Sequence, residues 1–390
     1  MKKFLISIAL VALASSCIYP YDPDLGEKDL DDIMVIEGNI IIGGTSTVRL
    51  NQVMPIVNES TSWYGSYRDI SGTAVIEDDE GQLYHPVQTR KATVFTFNST
   101  EQAKPDRKYR LKVTVGNNVY MSDWVEPVTP PTIEEVSFSC DESNVQVEVT
   151  LEGGEDASGY VGITYDETWE FHADFTCDYL LDTVRWTLID AIKTQQEYPN
   201  YWCWQSTSSY NMILLDISEF EGGRAVKAPL FTFLRTNSRN HRKYSVNLHA
   251  RTLPKEAYRY LKNMDDITTS GRSLFTPNPG EMASNISCET DPSARVLGYV
   301  NVMRETSFRG WMDDRFKKNK PAYYGEFKLP QSDPVSFMAF YYGEGYYPVK
   351  EMSMPDPMTG EPVEGIYWAP RRCVDCVLMG GTKKKPDFWE

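Results

Sequence analysis

Residues 109–115 read YRLKVTV. Tyr109, Leu111, Val113 and Val115 fall on one face of an extended chain, and Arg110, Lys112 and Thr114 fall on the other. That is the period of a strand with one face in a core and one in water. Pro105-Asp106 stands just before it, a turn from which the tyrosine hydroxyl can bond back to the backbone, as at the corner of immunoglobulin-like sandwiches.

Working outward, the neighbouring segments repeat the pattern. Strands are expected at Met34–Ile42, Thr47–Val53, Thr73–Ile76, Leu83–Val87, Thr93–Phe97 and Val119–Trp124. They are separated by Gly43-Gly44, Asp78-Asp79-Glu80-Gly81 and Asn117-Asn118, which are turn formers. So many short strands in one stretch predict an immunoglobulin-like antiparallel β-sandwich over residues 33–128. Val128-Thr129-Pro130-Pro131 is a stiff boundary.

Beyond it, Val145, Val147, Val149 and Leu151 alternate, as do Tyr244, Val246, Leu248 and Ala250. One helix is clear: Pro254 suits a first turn, and Ala257, Tyr260, Leu261 and Met264 form an apolar stripe. Val296–Val302 reads as a closing strand, residues 166–205 as an aromatic-rich insertion, and 303–390 as turn-rich chain without periodicity. The fold class is therefore mainly β: the first sandwich, then a larger elaborated β-sandwich domain over 129–390 with an aromatic, cysteine-containing C-terminal segment.

The N-terminus carries an address. Lys2 and Lys3 precede the apolar run Phe4–Ala14, and the small residues Ser15 and Ser16 precede Cys17. Residues 1–16 are expected to be a lipoprotein signal peptide, and Cys17 the acylated first residue of the mature chain. Two or more acyl chains make such anchoring stable. Residues 17–32 carry Asp22, Asp24, Glu27, Asp29, Asp31 and Asp32 with Pro20 and Pro23, an acidic tether.

Composition removes several classes. The formal charge of −16 over 390 residues lacks the basic footprint of a nucleic-acid binder. Beyond the N-terminal run no stretch of apolar residues is long enough for a membrane-spanning helix. There is no GxSxG, Walker A or HExxH pattern. His249 is expected on the outward face of its strand. The basic run Arg235, Arg239, His241, Arg242, Lys243 reads as a solvated loop. No catalytic residue, metal site or cofactor is expected.

Six cysteines follow Cys17: Cys140, Cys177, Cys203, Cys288, Cys373 and Cys376. An even number in an exported chain favours disulfides, here mostly bridged, with Cys373 and Cys376 serving the tail. The pairing stays open, and a metal at Cys373-Val374-Asp375-Cys376 is the competing reading. Two aromatic groups are candidate binding surfaces, Trp202 with Trp204, and Tyr341, Tyr342, Tyr346 and Tyr347. Aromatic faces stack on sugars and anchor protein interfaces, and they also fill cores.

Several pieces together resemble the Bacteroidota outer-membrane lipoprotein family of the domain-of-unknown-function 4249 type. They are the lipobox-like Cys17, Val35-Ile36-Glu37-Gly38, Ser122-Asp123-Trp124, Tyr201-Trp202-Cys203-Trp204, Ser284-Asn285-Ile286, Val296-Leu297-Gly298-Tyr299 and the tail from Cys373 to Trp389. The resemblance implies an outer-membrane lipoprotein, often encoded beside a TonB-dependent receptor. The acidic residues soon after Cys17 also resemble the surface-export signal of such lipoproteins, so exposure at the cell surface is expected. The function expected is a non-catalytic accessory subunit of that β-barrel receptor in nutrient uptake. The alternatives are a surface glycan-binding lipoprotein, with a glycan or peptide ligand, and a hydrolase with an unrecognised acidic site.

Overall fold

The structure, a computed structural model, describes residues 33–53, 70–152, 159–191, 200–217, 226–270, 284–313, 316, 326–328, 334–356 and 358–389. The signal peptide and acidic tether expected over residues 1–32, with Cys17, lie outside the described residues.

The chain opens with β1 (Met34–Ile42), β2 (Ser46–Gln52), β3 (Gly72–Asp78), β4 (Leu83–Tyr84), β5 (Gln88–Arg90), β6 (Val94–Phe97), β7 (Tyr109–Val115) and β8 (Asn118–Ser122). Beyond the double proline come β9 (Thr132–Cys140), β10 (Asn144–Glu152), β11 (Tyr160–His172), β12 (Tyr179–Asp182) and β13 (Thr187–Asp190). Then follow β14 (Trp202–Ser208), β15 (Ile213–Asp216), β16 (Val226–Leu234), β17 (Lys243–Thr252) and the helix α1 (Lys255–Ser270). The last part holds β18 (Ile286–Cys288), β19 (Val296–Leu297), β20 (Val300–Asp313), β21 (Glu326–Lys328), the helix α2 (Pro334–Gly343), β22 (Tyr346–Pro355) and β23 (Pro362–Pro370).

The fold is mainly β, as expected, and one sheet runs through most of it. Its strand order is β14-β11-β17-β20-β1-β2-β6-β5, with β15 added on β11 and β19 on β1. The β1 end of this sheet packs on the five-stranded sheet β18-β8-β7-β3-β4. Between them lie Ile36, Ile40, Leu50, Ile76, Phe95, Tyr109 and Leu111. The β17 end packs on β16-β10-β9. There Val145, Val147, Val149 and Leu151 meet Tyr244, Val246, Leu248 and Ala250, all fully buried. Burying each such aliphatic side chain contributes about 1.5–3 kcal/mol.

The first sandwich is not closed by residues 33–128 alone. β18 pairs with β8, β19 and the first half of β20 pair with β1, and Cys288, Val300 and Val302 enter the first core. A central β1 needs a hydrogen-bonded partner on each side, and the chain returns some 250 residues later to supply one. Gly298 makes the return possible. Its φ is +108° and a Cβ there would lie 2.0 Å from the Ile36 carbonyl oxygen, so only glycine fits.

β20 links the two halves. Gly38–Ile42 run parallel to Val300–Arg304, and Glu305–Asp313 then run antiparallel to Lys243–Arg251. The strand is thus twice as long as the segment its apolar residues suggested. A small lobe completes the molecule: the hairpin β12–β13, the sheet β21-β23-β22 and α2. α2 corrects the expectation of a single helix. Its Phe337 is buried on Trp368 and Tyr341 packs there too, while Val335 and Phe340 are exposed. Aromatics all round the helix leave no apolar stripe for periodicity to detect. Among the described residues no helix is long and apolar enough to cross a membrane.

Candidate functional site

The aromatic candidates are mostly spent on packing. Tyr347 is buried and its hydroxyl accepts a hydrogen bond from the Leu181 amide at 2.9 Å. Tyr341 lies among Phe337, Phe340, Tyr346 and Trp368, and Tyr342 sits between Trp186 and the Arg371 guanidinium. Trp202 packs edge-on against Tyr201 and His172, under Arg242. Trp204 exchanges backbone hydrogen bonds with Thr382 of the tail.

One disulfide joins Cys203 to Cys376. Cys140, Cys177, Cys288 and Cys373 are thiols, which corrects the expectation that most cysteines are bridged. Cys288 lies in the first core, Cys177 and Cys373 in the small lobe, and Cys140 at the exposed end of β9, where each is accommodated without a bridge. Burial pushes the Cys177 thiol up to about 12, so it behaves as an inert apolar group. Among the described residues no cluster of His, Cys, Asp and Glu is arranged to hold a metal ion.

The basic run is likewise not a solvated loop. Arg239 grips the buried Glu167 with Nε on Oε1 at 2.7 Å and Nη2 on Oε2 at 2.9 Å. Arg242 pairs with Glu170 at 2.7 Å. The Lys243 ammonium lies over Trp311, and His241 is buried. Alternation in β11 turns Glu167 inward beside Tyr244, and a buried carboxylate requires a partner.

The structure opens instead where β20 leaves β1 and joins β17. Two contiguous hollows of about 470 Å³ and about 420 Å³ share Ile41, Thr45, Thr164 and Arg251 as walls. One end carries the outward side chains of β11, β17 and β20. His249 faces Glu305 with Nδ1 2.8 Å from Oε1, and Asp166 with Nε2 3.1 Å from Oδ2. Arg251 donates from Nε and Nη2 to Glu305 Oε2, at 2.8 and 2.7 Å, and from Nη1 to the Thr164 hydroxyl at 3.0 Å. The Ser208 hydroxyl donates to Asp166 Oδ1 at 2.6 Å.

His249 does face outward, as its place in the alternation predicts, but it is held between two carboxylates. The hydrogen bond to Glu305, aided by Asp166 and opposed by burial, raises its pKa above the ordinary imidazole value. Burial pushes Glu305 upward, but His249 and Arg251 outweigh it and hold the carboxyl below its usual range.

The other end of the cleft is lined by Glu37, Asn39, Thr47 and Arg49, by Tyr210, and by Tyr260 of α1 against Tyr299. The Tyr260 and Tyr299 rings stack at 5.3 Å. Burial, with the Glu37 charge, pushes the Tyr260 hydroxyl up to about 12, so it stays protonated. None of the expected site residues lines this cleft. Its side chains come from six strands and a helix far apart in sequence, and only the outward run Asn247, His249, Arg251 hinted at it.

A family model described as Domain of unknown function (DUF4249) matches residues 18–309. No curated protein matches the chain. Among solved structures, a two fibronectin type-III domain segment from chicken tenascin is 13% identical, with 55% of this chain and 88% of that chain covered and a TM-score of 0.16. A Bacteroides uniformis β-glucuronidase 2, covalently bound to cyclophellitol-6-carboxylate aziridine, is 10% identical, with 73% of this chain and 27% of that chain covered and a TM-score of 0.13. Likenesses at such scores carry no structural argument.

Proposed function

The chain belongs to the DUF4249 family, and from that premise we propose that it is a non-catalytic outer-membrane lipoprotein, anchored through Cys17, that serves as an accessory subunit of a TonB-dependent receptor in nutrient uptake. The observation that carries this reading is the state of the ionic groups in the cleft. His249, Asp166, Glu305 and Arg251 are bound to one another. A general base must be within reach of a substrate proton and able to take it. The His249 imidazole has both ring nitrogens taken by carboxylates, so neither is free to accept a substrate proton. A glycosidase would need two carboxylates with opposed tasks, whereas Asp166 and Glu305 share one histidine. The arrangement suits holding a molecule rather than converting it.

The leader-like residues 1–17 and the family resemblance support the membrane address and the receptor partner. A stable complex with a β-barrel would bury about 1,200–2,000 Å².

Mild-detergent affinity purification of the full chain from its native membrane tests the partnership. A stoichiometric β-barrel protein is the expected companion, and a chain that emerges alone overturns the receptor reading. Cys17→Ala is expected to abolish fatty-acid labelling and release the protein from membranes. Unchanged labelling refutes the anchor.

A further inference from the structure

We propose that the cleft at the β1–β20–β17 joint binds an uncharged, polyhydroxylated ligand of the carbohydrate class. The proposal rests on the reading of the protein as a ligand-holding module and names what it would hold.

Charge comes first. The cleft presents Glu37, Asp166 and Glu305 against Arg49, Arg251 and His249, so with the imidazole protonated it carries no net charge. Asp166, Glu305, His249 and Arg251 are also satisfied by one another, so at that end of the cleft an ionic ligand would have to displace existing partners and desolvate their charges.

Topology comes next. The walls come from β1, β2, β11, β14, β17 and β20 of the large sheet, where β20 pairs with β1 over Val300–Arg304 and with β17 over Glu305–Asp313. Most of their backbone groups are taken by these ladders, so recognition in the cleft falls to side chains.

What remains are hydroxyls, amides and rings: Thr45, Thr47, Ser209, Asn39 and the Tyr260–Tyr299 stack. Hydroxyls and amides both donate and accept, which matches sugar hydroxyls, and aromatic faces match the C–H faces of pyranose rings. Tyr210 stands fully exposed at the rim, an aromatic face with no core to fill.

Asn301 is the independent pointer. It lines the cleft at 3% exposure, its amide donates to Asn39 Oδ1 at 3.3 Å, and its own Oδ1 has no hydrogen-bond partner. A buried acceptor without a donor costs about 1–3 kcal/mol. A ligand hydroxyl entering beside Asn39 would supply that donor.

The test uses the purified full chain on a printed array of neutral and acidic oligosaccharides, with short neutral peptides printed alongside. The expected result is binding to neutral oligosaccharides with an affinity insensitive to added salt, because no ion pair is made. Tyr210→Ala removes an exposed side chain and leaves the core untouched. It should weaken that binding about tenfold with the melting temperature unchanged. Asn301→Leu should do the same, and its fold is checked by circular dichroism. The proposal is overturned if no neutral saccharide binds, if acidic sugars or peptides bind instead, or if Tyr210→Ala leaves saccharide binding intact. Tyr210→Ala should not change recovery of a β-barrel partner. Loss of the saccharide result with the partner retained therefore rejects the ligand class and leaves the receptor reading standing.

Discussion

Cys203 on β14 and Cys376 in the C-terminal tail are bonded across 173 residues of sequence. The bridge fixes a segment that has few other means of order. Thr382 pairs with Trp204, and Trp389 docks on Trp311 beside Lys243. The segments Tyr201–Trp204 and Gly380–Trp389, remote in sequence, thus form one clasp reaching from β14 to β20.

Breaking that bond is expected to destabilise the second sandwich and loosen the tail. A crosslink that closes so long a loop stabilises by about 2–5 kcal/mol, by an amount that depends on the account of the unfolded chain. The double variant Cys203→Ala with Cys376→Ala should lower the melting temperature and expose residues after Cys376 to protease. Loss of Cys140, which is exposed and unbridged, should leave both unchanged. Equal effects at the two sites would refute the assignment.

Tyr109 is fully buried, and its hydroxyl donates to the Lys104 carbonyl at 2.7 Å, closing the turn at Pro105-Asp106. Tyr109→Phe keeps the ring and removes one hydrogen bond. It should cost about 0.5–1.5 kcal/mol in denaturant unfolding, and Tyr109→Ala about 3–5 kcal/mol through the cavity it leaves. A Phe variant as damaging as the Ala variant would show that the bond to Lys104 is not what the hydroxyl contributes.

Glu167 is buried with Arg239 bidentate upon it, and the Tyr244 hydroxyl donates to Oε1 at 2.8 Å. Removing one charge strands the other. Glu167→Gln is expected to lower stability by about 3–5 kcal/mol. Arg239→Lys keeps the charge but loses the planar fork that meets both carboxylate oxygens and lies over Trp169. Its cost should be the smaller of the two, and denaturation midpoints of both variants decide the order.

The legible parts of this chain were those where one strand face meets a core. Met34–Ile42 and Tyr109–Val115 stand as strands with the bounds their alternation indicates. The Tyr109 corner was legible because turn, tyrosine and bond lie within six residues. The second half of β20 was not. Residues such as Glu305, Ser307 and Arg309 hide a strand whose pairing with β17 is set from afar. β22 and β23 escaped for a similar reason, since prolines at their ends and a register shift between Pro348 and Lys350 break the alternation. The cleft had no local signature at all: Asp166, His249 and Glu305 become neighbours only after β11, β17 and β20 align. The leader and anchor expected at residues 1–17 are chemical signals that stand on sequence alone.

His249 gives the cleft a pH dependence whose sign follows from its partners. Facing it are Asp166 from β11 and Glu305 from β20, with Arg251 two residues along β17 and bound to the same Glu305. The bond to Glu305 raises the folded-state pKa above the unfolded one, about 6.5. The stability this contributes is fully present below the unfolded value and is lost as pH rises through the folded value. Glu305 works in the opposite sense. Although burial pulls against it, His249 and Arg251 depress its pKa, so its contribution is present above the unfolded carboxylate value and is lost as pH falls through the folded one. Melting temperature measured from about pH 5.5 to about pH 8.5, a range that brackets the ordinary imidazole value, should therefore fall on the alkaline side. In His249→Gln, which can hydrogen-bond but not titrate, that alkaline fall should be reduced. An identical alkaline slope in the two proteins would place the titrating group elsewhere and remove His249 as the cation at the centre of the cleft.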